Sequence, residues 1–92
     1  MELVWSKTAL LQFAQVFEHI AAHDPDAAER IAEAIDEAAT SLLDFPEMGS
    51  LGPRPGTRKR VVTGTRYLLT YAIRGENIVI LNVWHGRQNW KR

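Results

Sequence analysis

Ile78-Val79-Ile80-Leu81-Asn82-Val83-Trp84-His85-Gly86-Arg87-Gln88-Asn89-Trp90 is the stretch whose reading decides the fold. Its first half is apolar and mostly β-branched, the composition of a largely buried strand. Its second half gathers an imidazole, a guanidinium, two amides and two indoles. A packed strand is a rigid support for such groups, and Gly86 allows the backbone to turn directly after His85. Both faces of the strand are apolar, so alternation does not say which one meets the rest of the protein.

Upstream, Arg66 to Ile73 is another strand, with Tyr67, Leu69, Tyr71 and Ile73 alternating onto one face. Gly75 marks the turn between it and the strand that starts at Ile78. Arg58 to Thr63 is a third strand, and Gly64 sits in the turn that follows it. Three strands joined by short turns make an antiparallel meander. Before them, residues 46–57 hold three prolines and three glycines and read as a loop.

The first half of the chain is helical apart from a short strand at Glu2 to Trp5. Ser6 is a candidate N-cap for a helix reaching about Ala22. Leu10, Phe13, Ala14, Phe17, Ile20 and Ala21 recur at three- and four-residue spacing and form its expected apolar stripe. Asp24 then caps a second helix, with Pro25 at its first position, where no amide hydrogen is needed. Ala28, Ile31, Ile35, Ala38, Ala39 and Leu42 form its stripe, and Glu29, Glu33, Asp36 and Glu37 lie on or beside the opposite face. Strand, helical hairpin and three-stranded meander give an α+β fold across residues 1–92, with the helices packed on one face of the sheet.

Ninety-two residues suit one domain with one modest core. No cysteine is present, which excludes disulfides and thiolate metal sites and fits a reducing, cytoplasmic setting. The N-terminus lacks the basic start and apolar run of a signal peptide, and no apolar run approaches a membrane span. The net charge is zero, but residues 1–47 carry ten acids and two bases, whereas residues 48–92 carry nine bases and one acid. That segregation points to an anionic partner for the basic half, or to acidic helices attracting a basic sheet.

Chemistry concentrates in the basic half. Arg66, Arg60 and Arg87 can stabilise phosphate charge, and His85 can act as a general acid or base, since the reference pKa of an imidazole lies near neutrality. Arg58, Lys59 and Trp90 can hold a nucleic-acid backbone or stack on a base. The alternatives are structural: a histidine bonded to a turn, an arginine paired with a helix carboxylate, tryptophans in the core. His19 and His23 have a metal-ligand spacing, but with no third ligand they read as solvated helix residues. No metal or cofactor is expected. A second proton-transfer group is not evident, although Glu47 lies in the loop.

Several residues in order carry a resemblance over essentially the whole chain. They are the helix start at Ser6 to Ala14, Asp24-Pro25 with Ala28, the helix exit Phe45-Pro46-Glu47-Met48-Gly49, Arg66 with Tyr67 and Tyr71, and the ending Val83 to Trp90. In this layout the chain resembles the RelE/ParE superfamily of type II toxin–antitoxin toxins. The resemblance implies a small cytoplasmic, growth-inhibiting toxin of the kind linked to plasmid stabilisation. A cognate antitoxin wraps such a toxin in a hetero-oligomer and neutralises it. In the RelE-like branch a metal-independent site cleaves mRNA on the ribosome; Arg66 matches a strand arginine used there and His85 a histidine of some members. The ParE-like branch inhibits DNA gyrase by binding. The sequence lacks the lysine-rich site and terminal tyrosine of familiar ribonucleases, and also the long C-terminal tail of familiar gyrase inhibitors. The expectation is an mRNA endoribonuclease using Arg66, His85, Arg60 and Arg87, with gyrase inhibition as the alternative.

Overall fold

The computed structural model describes residues 1–87, so expectations for Gln88 to Arg92, Trp90 among them, lie outside the described residues. The elements follow in the order β1 (Glu2–Trp5), α1 (Lys7–Ala21), α2 (Pro25–Ser41), β2 (Ser50–Leu51), β3 (Arg58–Val61), β4 (Tyr67–Arg74) and β5 (Asn77–His85). The strands form one sheet ordered β1-β5-β4-β3-β2, with β1 parallel to β5 and the other neighbours antiparallel. Both helices pack on one face. β2 was not expected: two residues of the Pro/Gly-rich loop pair with Lys59 and Arg58.

The helix starts follow from side-chain chemistry. Ser6 Oγ accepts from the Ala9 amide at 3.0 Å, and Asp24 Oδ1 accepts from the Ala27 amide at 3.1 Å. Each satisfies a donor that the first helical turn leaves without a partner. Gly64 and Gly75 have φ of 80° and 60°, which accounts for glycine at the two hairpin turns.

The core lies between the helices and β4–β5. Ile35, Ala38, Ala39 and Leu42 of α2 and its C-cap meet Leu69, Tyr71, Ile78, Ile80 and Val83 of the sheet, all buried. Burial of each large aliphatic side chain contributes about 1.5–3 kcal/mol. The stripe of α2 agrees with the sequence reading. That of α1 is rotated: Ala9, Phe13 and Val16 face the core, whereas Leu10 (55%), Leu11 (61%) and Phe17 (38%) are exposed. α1 carries apolar residues around most of its circumference, so their spacing fits more than one stripe.

β5 contains the irregularity that positions the site. Tyr71 pairs with Ile80, but Thr70 pairs with Asn82, so Leu81 is an extra residue in β5. Such a bulge reverses the side-chain alternation beyond it. Ile78 and Ile80 face the helices before the bulge, and Val83 and His85 face them after it. Asn82 and Trp84 go to the opposite, open face, where Asn82 Nδ2 and Trp84 Nε1 both donate to Thr70 Oγ1 at 3.2 and 3.3 Å.

Candidate functional site

The site lies at the end of the sheet where β4 begins and β5 finishes. Register places Tyr67 opposite His85, and their rings meet edge to face with centroids 5.3 Å apart. One step further out, the Gly86 amide donates to the Arg66 carbonyl at 2.7 Å. Arg66 and Arg87 are exposed beside this pair. The Arg87 amide donates to His85 Nδ1 at 3.1 Å, so the neutral ring carries its proton on Nε2 and presents a donor there.

Tyr67 and His85 form one wall of a groove of about 480 Å³, closed on the other side by Gln12, Gln15, Val16 and His19 of α1. Sequence reasoning did not single out Tyr67 or Gln12 as site residues. The signal for Gln12 is structural: it is a polar residue between Ala9, Phe13 and Val16, which only the fold shows to face inward. A polar group on an inward stripe needs a partner. His19, read as solvated, is exposed and lines the same groove as His85. Val16 is half-buried against the core rather than exposed for docking.

The arginines expected at the site do not all converge. Arg66 precedes β4, exposed, with its carbonyl bonded to the Gly86 amide. Arg60 pairs with Leu69 further along the sheet; its Nη1 donates to the Val61 carbonyl at 2.8 Å, and its Nε is buried without a hydrogen-bond partner. Arg58 is committed to the loop after α2, with Nη1 donating to the carbonyls of Gly49 (2.9 Å) and Glu47 (3.2 Å). Lys59 pairs with Thr70 on the open face. The structure thus brings together Arg66, Tyr67, His85 and Arg87 at one end of the sheet and leaves Arg58 and Arg60 in backbone contacts. Glu47 is exposed and lines a pocket with Met1 and Ile73, beside the other end of β4.

Comparison with known proteins agrees with this fold. Residues 3–90 match a family model described as the ParE toxin of type II toxin–antitoxin system, parDE. The chain is 33% identical to protein Y4kP of Sinorhizobium fredii, over 94% of this chain and 88% of that protein. It is 29% identical to Toxin RelE2 of Caulobacter vibrioides, over 91% and 93% of the two chains. Among solved structures, a chain of the chromosomal ParDE TA system from P. aeruginosa superposes with a TM-score of 0.81. It is 22% identical, and the match covers 92% of this chain and 95% of that one.

Proposed function

The chain belongs to the ParE toxin family of type II toxin–antitoxin systems, and from that membership we propose that it arrests growth by binding DNA gyrase through the polar end of its sheet, without catalysis. The observation that carries this reading is the dispersal of the expected catalytic groups. Phosphoryl-transfer chemistry on RNA needs an acid, a base and cations converging on one phosphate. Here Arg60 is tied to the Val61 carbonyl, and Arg58 to the loop after α2, so expected cations do not converge on His85. A binding surface needs no such convergence. It needs exposed arginines and aromatic groups on a rigid support, which Arg66, Arg87, Tyr67 and His85 provide.

Ribosome-dependent mRNA cleavage is the second reading, and one observation favours it. The Tyr67–His85 ring contact places two titratable side chains together beside Arg66 and Arg87. In that case one of His85 and Tyr67 takes the proton of the attacking 2′-hydroxyl and the other protonates the leaving oxygen, Arg66 and Arg87 stabilise the phosphate, and Lys59 and Trp90 hold the RNA. The two readings leave different damage. The protein is induced alone, and RNA ends and DNA breaks are mapped in the same cells. Double-strand DNA breaks with intact transcripts are expected; transcripts cut within translated frames, with unbroken DNA, would overturn the gyrase reading in favour of cleavage.

The partner within the system is an antitoxin. Exposed Leu10, Leu11 and Phe17 on the outer side of α1 suit an apolar antitoxin segment. The basic sheet suits an acidic one, so association slows as salt is raised.

A further inference from the structure

A bulge leaves backbone groups that the neighbouring strand cannot satisfy, and here α1 satisfies them. β1 ends where the bulge begins: the Ser6 amide donates to the Ile80 carbonyl at 2.9 Å. The Ser6 hydroxyl, while capping α1, donates to the carbonyl of the extra residue Leu81 at 3.0 Å. Beyond it, the Val83 amide donates to Gln12 Oε1 at 2.8 Å. Ser6, the N-cap of α1, and Gln12 within it lie six positions apart, and their side chains clasp the bulge from both sides.

We propose that Gln12, assisted by Ser6, is the positioning residue that fixes which face of the sheet the end of β5 presents. Without the bulge, strict alternation from Ile78 and Ile80 would carry Asn82 and Trp84 to the helix face and His85 to the open face. Ile78 to Leu81 offer hydrophobic residues to both faces, so only the residues beyond them distinguish the registers: the bulged one buries Val83 and keeps the polar Asn82 off the helix face. Burial and the α1 hydrogen bonds therefore select the same register. Those hydrogen bonds exist only when Leu81 is the extra residue and the Val83 amide points at Gln12. An unsatisfied amide at a part-buried position costs enough to add substantially to that preference. Gln12 thus acts through β5 on His85, while Trp84 stays on the open face with Thr70. The consequence for toxicity rests on reading the polar end as the target-binding surface; the placement of His85 does not.

The test measures the two separately. In the unsubstituted protein, the Val83 amide is expected to be protected from hydrogen exchange, and nuclear Overhauser contacts should link the Tyr67 and His85 rings. Rapid exchange at Val83 in that protein would overturn the proposal without any variant. Gln12→Leu fills the same space but cannot accept. It should speed Val83 exchange about tenfold or more, lose the Tyr67–His85 contacts and weaken growth arrest. Gln12→Glu keeps an acceptor and should retain all three properties. Ring contacts that persist undiminished in Gln12→Leu, or that vanish in a folded Gln12→Glu, would overturn the proposal. Lost ring contacts with full growth arrest would uphold the positioning role and instead refute the polar end as the target surface.

Discussion

Tyr67 and Tyr71 stand four residues apart on the same face of β4, and the two ends of the sheet differ as those tyrosines do. Tyr71 is fully buried and spends its hydroxyl twice, donating to the Pro46 carbonyl at 2.8 Å and accepting from the Gly49 amide at 3.0 Å. Arg58 beside it donates to the same loop. At that end, polar side chains hold backbone in place. Around them lies an apolar pocket lined by Met1, Phe45, Pro46, Met48 and Ile73. Tyr67 is half-buried, faces a groove and touches His85, while Arg66 and Arg87 are exposed. Residue type is therefore a poor guide to role in this chain. What separates the tyrosine and arginine that hold the loop from those left at the polar end is whether a backbone group lies within reach.

The contrast is broken most severely at the buried end. Tyr71→Ala removes a core ring and leaves the Gly49 amide without its acceptor, so a loss of about 3–5 kcal/mol is expected. Tyr71→Phe, which removes only the hydroxyl, should cost about 1–3 kcal/mol. Urea titration of both variants checks the ratio. Gly49→Ala comes next. Its added Cβ would stand 2.5 Å from the Lys59 carbonyl and 2.6 Å from Tyr71 Oη, so the loop must move, at about 1–3 kcal/mol. A melting temperature unchanged by this substitution would show that the loop is less tightly pinned than the distances imply.

Smaller effects are expected nearer the functional end. Ser6→Ala loses both a helix cap and the bond to Leu81, and should cost about 1–2 kcal/mol in thermal unfolding. Tyr67→Phe should change stability by no more than about 0.5 kcal/mol. It sharpens the functional question as well. Growth arrest should survive it if the protein acts by binding, and mRNA cleavage would fall about 10²–10⁴-fold if the hydroxyl transfers a proton.

The parts of this fold that were legible in the sequence are those set by local chemistry. Ser6 and Asp24-Pro25 announce helix starts because a side-chain oxygen there has an orphan amide to accept from. The α2 stripe is legible because acids fill its other side, and β4 because Tyr67, Leu69, Tyr71 and Ile73 alternate. Illegibility also has physical causes. In α1, apolar residues surround the helix, so nothing in the pattern selects Ala9, Phe13 and Val16 over Leu10 and Phe17. In β5, four consecutive apolar residues, Ile78 to Leu81, hide a change of face at Leu81. The destinations of Arg58 and Arg60 are backbone carbonyls, which every residue carries and no sequence pattern marks.

The central claim is that the polar end acts and the buried end holds. It is tested most directly by replacing Arg66, His85 and Arg87 together with alanine and measuring growth arrest at matched levels of folded protein. All three lie outside the buried core, so the melting temperature should stay within about 4–8 °C of the parent, the shift that ~1 kcal/mol produces in a domain of this size. Growth arrest should be lost. A triple variant that folds normally and still arrests growth at full strength would contradict the account.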